Sequence, residues 1–160
     1  MHTLLASWSP DTTIQLSLVG RLLIAAILGS MLGLERTLAG KHAGMRTYAL
    51  VSMGSSLFVI AGTLASFELS MFSAVNPLVV AANVVLGVGF LGTGLAMFKG
   101  EHPVELTTAA GLWLAAGVGM AAGFGLYTLS IGSTIIGMLI FSLILKFENR
   151  MRRRFGTNGE

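Results

Sequence analysis

Residues 106–145 form a run of 40 residues without one charged side chain. No other stretch limits the fold as much. As a single helix it would be about 60 Å long at 1.5 Å per residue, twice the hydrocarbon thickness of a bilayer. It therefore has to turn, and Gly119, Gly123 and Gly125 mark a Gly-rich hairpin. Residues 22–34 are equally free of charge, and after Arg46 none returns until Glu68. The chain is 54% hydrophobic and only 11% charged, against about 25% charged in soluble domains. Its polar groups could not cover a surface in water. The fold class expected is an all-α integral membrane protein.

A membrane helix needs about 20 apolar residues. The uncharged runs, Asn76-Pro77 and the Gly-rich turn divide the chain into five spans: 16–34, 48–67, 78–98, 106–123 and 126–145. A bundle of five transmembrane helices over 16–145 follows, with a short segment at 1–15 and a basic tail at 146–160. Arg36, Lys41 and Arg46, then Lys99, then Lys146, Arg150, Arg152, Arg153 and Arg154 all fall on one side of it. Residues 1–15, residues 68–77 and the Gly-rich turn carry no Lys or Arg. The positive-inside rule puts the N-terminus outside and the tail in the cytoplasm. An odd number of spans is what makes that count consistent. The first eleven residues carry no Lys or Arg either, so no basic n-region of a cleavable signal is read there.

The 35–47 connector gathers Glu35, Arg36, Lys41, His42, Arg46 and Thr47 between two apolar runs. Its ordered Glu, Arg, Gly and Arg suit the binding of a partner or small ligand. Arg46 near a helix start could hold an anion there, because free N–H groups favour negative charge, and Arg36 either pairs with Glu35 or adds a second cation. Arg21 is the tenth cation and lies about 7.5 Å inside the first span at 1.5 Å per residue. It either snorkels to the outer interface or faces the bundle or a water-filled cavity. Asn83 either bonds between helices or lines a polar pocket. Thr107 and Thr108 open the fourth span, as N-cap residues or as polar lining of a site shared with the connector. Trp113 and Tyr127 fit interfacial or packing roles.

Several chemistries lack their residues. There is no cysteine, and His2, His42 and His102 are scattered, so no metal site is expected. Glu101 and Glu105 are four apart, but Pro103 lies between them and argues against a helical pair for a cation. No Asp or Glu falls in the middle of a span, where cation-coupled transporters usually keep one. Gly87-Val88-Gly89-Phe90-Leu91-Gly92 matches G-x-G-x-x-G, but it lies inside a span, without the strand and acidic residue of a dinucleotide site. With Gly94 it reads as a small-residue ridge for close helix packing, as do Gly29/Gly33, Gly119/Gly123, Ser52/Ser56 and Gly62/Ser66. A tight bundle and a homodimer are both compatible with these ridges. The C-terminal basic cluster suits orientation and anionic lipid. Nucleic-acid binding would need a folded basic domain, and none is expected. No cofactor and no enzymatic constellation are read.

Taken together, Arg21 through Gly29, Gly33 and Glu35-Arg36, then Ala43-Gly44-Met45-Arg46-Thr47, Gly87 through Gly94, and Leu106-Thr107-Thr108 with Leu112-Trp113 resemble the MgtC/SapB family of bacterial inner-membrane proteins. The resemblance implies a five-helix, multi-pass inner-membrane protein. It implies as functional polar positions Arg21, Glu35, Arg36, Arg46, Thr47, Thr107 and Thr108, and some relatives carry Asn where this chain has Thr107. Longer members carry a soluble C-terminal domain, so a short form without it is expected. Glu105 departs from the family pattern, which has Gly before Leu-Thr-Thr. Some members support survival in low Mg2+ and in host phagocytes. The function implied is a regulator linked to Mg2+ limitation, stress adaptation or virulence, acting through partners such as the membrane ATP synthase. The alternative is a small-solute or ion transporter with a path lined by Arg21, Asn83 and Thr107.

Overall fold

The computed structural model describes residues 11–69, 76–97, 106–144 and 150. Among the described residues there are five helices and no strand: α1 (Thr12–Leu38), α2 (Met45–Leu69), α3 (Pro77–Met97), α4 (Leu106–Gly123) and α5 (Tyr127–Leu139), the last continued by a π-helical turn over Ile140–Ile144. The first four are long and apolar enough to cross a membrane, and α5 is a shorter apolar helix. Helices α1 and α2 run further than the expected spans, because backbone hydrogen bonding carries them past their apolar stretches into the charged connector, whereas α3 and α4 match theirs to within a residue and α5 is itself shorter than its expected span, reaching 144 only with the π turn.

Local chemistry sets the ends. At the end of α1 the Lys41 N–H donates to the Arg36 carbonyl and the Gly40 N–H to the Thr37 carbonyl. Gly40 sits at φ +67°, so this is a Schellman termination, which needs a residue tolerant of left-handed backbone. The end of α4 repeats it: Leu126 N–H donates to Ala121, Gly125 N–H to Ala122, and Gly125 has φ +79°. The expected hairpin is therefore present, with a correction. Gly119 is no part of the turn but lies inside α4, packed on α2. Helix α3 starts with Pro77 after Asn76, whose Oδ1 accepts the Leu78 N–H at 2.9 Å.

Helix α4 is the central element and packs against the other four helices. Its approach to α2 is so close that a Cβ on Gly119 would collide with the Ser52 carbonyl oxygen, and one on Gly123 would come within 2.8 Å of the Ser56 carbonyl oxygen. On the other side of α2, a Cβ on Gly29 of α1 would come within 2.6 Å of the Tyr48 carbonyl oxygen. Small residues on all three helices thus create the tight core, where dispersion and backbone proximity replace the hydrophobic effect. Ser52 Oγ donates to the Ala25 carbonyl across that seam at 2.7 Å. The buried face of α5 is the stripe Ser130, Thr134, Gly137 and Phe141, one helical face at spacings of three and four. Helix α3 packs on α2 and α4 and is the least covered of the long helices. The expected ridge on α3 is correspondingly open: of its glycines only Gly92 meets a neighbour, Ala109, while Gly87, Gly89 and Gly94 face empty space.

Candidate functional site

The C-terminal ends of α1 and α5 and the N-terminal ends of α2 and α4 meet at one end of the bundle, and there the charged residues of the connector gather. Arg36 ends the buried stripe of α1, which runs Ala25, Leu28, Gly29, Leu32, Gly33, Arg36. Its side chain is 2% exposed. The Nε donates to Glu35 Oε2 at 2.6 Å, and Nη2 lies 2.5 Å from the same oxygen. Its guanidinium carbon sits 4.4 Å from the centre of the Phe141 ring, within cation–π range. A cation this deep costs several kcal/mol (order of magnitude) unless paired, and the carboxylate and the aromatic face offset that cost together. Beside this cluster Tyr48 is fully buried and its hydroxyl donates to the Thr108 carbonyl at 3.0 Å. Gly111 makes room for both rings, since a Cβ there would collide with the Tyr48 hydroxyl and come within 2.7 Å of Phe141.

Next to the ion pair is a second feature, a cavity of about 590 Å3 lined by Thr37, Lys41, His42, Gly44, Met45, Arg46 and Thr47. Arg46 and Thr47 are exposed. Thr37 Oγ1 accepts the Met45 N–H at 2.9 Å and so fixes the start of α2. The Arg46 and Thr47 amides belong to the first turn and have no acceptor within the helix. The one ion pair among the described residues is Arg36–Glu35, so Lys41 and Arg46 line this cavity with no carboxylate partner among those residues.

The sequence-read positions thus divide. Glu35 and Arg36 form a built-in pair, Arg46 and Thr47 line the basic cavity, and Thr108 is buried in the same end of the bundle while Thr107 is exposed there. Both threonines lie inside α4, as its second and third residues, rather than capping it. Arg21 lies at the opposite end. Its Nη1 donates to the Gly123 carbonyl at 2.9 Å, so it faces the bundle and holds the end of α4, where a cation also complements the helix dipole. Asn83 is exposed and lines a mostly apolar groove of about 580 Å3 between α2 and α3. Arg21, Asn83 and Thr107 therefore do not meet. Tyr48 and Phe141 were not among the positions read from sequence. Their signal is periodic: each continues a buried stripe, as Arg36 does on α1. Glu101, Glu105, His2, His102, Lys99 and the basic tail except Arg150 lie outside the described residues.

Comparison with known proteins bears directly on this arrangement. The chain is 37% identical to YhiD of Escherichia coli (strain K12), provisionally named a magnesium transporter, over 84% of this chain and 63% of YhiD. It is 41% identical to protein SrpB of Synechococcus elongatus, covering 79% of this chain and 74% of SrpB. It is 37% identical to protein MgtC of Salmonella typhimurium over 78% of this chain and 51% of that protein. The chain therefore spans between half and two thirds of the length of YhiD and MgtC. No solved structure matches. The model of the MgtC family matches residues 22–150, the region that holds α1 from Leu22 onwards, the other three long helices, the ion pair and the basic cavity, and the chain belongs to the MgtC family.

Proposed function

We propose that this chain is a non-enzymatic regulator in the bacterial inner membrane, linked to Mg2+ limitation and stress adaptation. It works through a protein partner, and the membrane ATP synthase is the first candidate. Five spans, with α5 and its π turn as the fifth, put the charged end in the cytoplasm by the positive-inside rule. One observation carries the reading: Arg46 and Thr47 are exposed beside Lys41, which has no carboxylate partner among the described residues, while Arg36 and Glu35 are occupied with each other. A basic surface without a carboxylate partner among the described residues is suited to an acidic partner. The relative YhiD, provisionally named a magnesium transporter, supports the physiological setting.

The test is ATP-driven proton pumping in inverted inner-membrane vesicles, with the wild type and with Arg46→Ala. Inhibition by the wild type alone is the expected result. No inhibition by either form, each normally inserted, would remove the ATP-synthase role. A second reading is transport of an ion or small solute, favoured by the name of YhiD. It predicts protein-dependent Mg2+ flux into liposomes. The separation of Arg21, Asn83 and Thr107 weighs against a path through those three.

A further inference from the structure

Neither the basic cavity nor the apolar groove is filled by a side chain of the described residues, and they share one face of α2. Thr47 lines the cavity; Leu50, Val51, Gly54 and Phe58 line the groove. These positions are spaced by three, four, seven and eleven from Thr47, which is one continuous helical stripe. The cavity lies where α1 ends and α2 begins, the level of the lipid headgroups. The groove starts one turn deeper and follows α2 from Leu50 to Phe58, about 12 Å at 1.5 Å per residue. Its far wall is α3, which runs antiparallel, with Leu91 towards the charged end and Val80 towards the other.

We infer that cavity and groove together bind one anionic phospholipid. The phosphodiester sits among Lys41, His42, Arg46 and the Thr47 hydroxyl, and an acyl chain lies along Leu50, Gly54 and Phe58. Charge and shape each select part of this ligand. Lys41 and Arg46 have no carboxylate partner among the described residues, so the cavity favours a negative headgroup, as basic pockets between membrane helices do. The groove is apolar for most of its length, and Gly54 and Gly87 leave it open, since a Cβ on either would meet nothing within 4 Å. A free phosphate would use the cavity and leave the groove unused. A second copy of the chain would use the groove and leave the cations unneutralised. A phospholipid uses both. Asn83 lies on the half of the α3 wall away from the headgroup cavity. The site uses the same cations as the regulatory reading but is tested apart from it: unchanged proton pumping would remove that role and leave lipid binding untouched.

Native mass spectrometry of the full chain in mild detergent, offered equimolar palmitoyl-oleoyl phosphatidylglycerol and phosphatidylcholine, tests the assignment. Preferential retention of phosphatidylglycerol is expected. Each basic residue near an anionic lipid contributes roughly fivefold, so Lys41→Gln/Arg46→Gln should lower that preference about twenty-five-fold. Lys41→Arg/Arg46→Lys should keep it. Gly54→Leu, which fills the groove while leaving the cations, should reduce retention of both lipids. Circular dichroism on each variant establishes that the helices are formed. Equal retention of both lipids by the wild type would overturn the proposal, and so would an unchanged preference in the double Gln variant. Inorganic phosphate binding without lipid selectivity, unaffected by Gly54→Leu, would make the cavity a soluble-anion site and also overturn it. A lipid-free dimer abolished by Gly54→Leu would assign the groove to a second copy instead.

Discussion

Arg36 shows how one buried charge organises its surroundings. It sits on an otherwise apolar stripe, so its position in α1 forces it into the bundle, and only the neighbouring carboxylate and the Phe141 ring make that tolerable. Removing one partner of a buried pair leaves an uncompensated charge and costs about 3–5 kcal/mol, whereas replacing both with apolar groups is often neutral. Glu35 is 20% exposed, so water recovers part of the loss. Glu35→Gln should therefore destabilise by about 2–3 kcal/mol, and Glu35→Gln/Arg36→Met should recover most of it. Thermal denaturation in detergent, followed by loss of the monodisperse size-exclusion peak, measures both. A double variant as unstable as the single one would mean that the charge itself, and not its pairing, is required. Arg21 answers to a different rule. It caps α4 at the other end of the bundle, so Arg21→Met should lower stability by about 1 kcal/mol without altering any activity of the charged end. A specific loss of activity at full stability would contradict the capping role.

At the scale of helices, the glycines separate into two groups that look alike in sequence. Gly119 faces the Ser52 carbonyl with no room for a methyl group, while Gly89 faces open space. Gly119→Ala should cost about 1–3 kcal/mol through overpacking and separation of α2 from α4. Gly89→Ala should be neutral or stabilise by up to about 1 kcal/mol through helix propensity. The same denaturation assay separates them, and equal effects would mean that α3 is covered by something in the native membrane. The π turn over Ile140–Ile144 belongs to this scale too. It opens as Phe141 turns inward onto Arg36, so a wider helical turn and a functional-end contact coincide, as π segments often do.

For the molecule as a whole, charge asymmetry makes a topological prediction. The chain has no cysteine, so single cysteines can be introduced without background. Lys41→Cys and Phe124→Cys lie in turns at opposite ends of the bundle. A membrane-impermeant maleimide added to intact spheroplasts should label Cys at 124 and leave Cys at 41 unlabelled until the membrane is opened. The reverse pattern would invert the orientation on which the regulatory reading depends. It would leave the packing of α4 among its four neighbours unaffected.

Length and hydropathy determined the helices on their own, because a bilayer forces apolar stretches of about 20 residues into hydrogen-bonded spans. Local codes were equally readable: Asn76-Pro77 starts α3, and Gly125 ends the hairpin because only a residue free of Cβ strain takes that φ. Charge alone places Glu35, Arg36 and Arg46, with the adjoining Thr47, at one end of the bundle. Which small residues pack and which remain open was not readable. Gly119 and Gly89 sit in similar sequence, and the difference lies in which neighbouring helix faces them. The same holds for the partition of the cations. One-dimensional order puts Arg36 and Arg46 in the same connector, but the rotation of α1 buries the first under Phe141 and the start of α2 leaves the second outward. Hydropathy is a sum along the chain, whereas burial depends on the angular register of each helix against its neighbours, and only their packing sets that register.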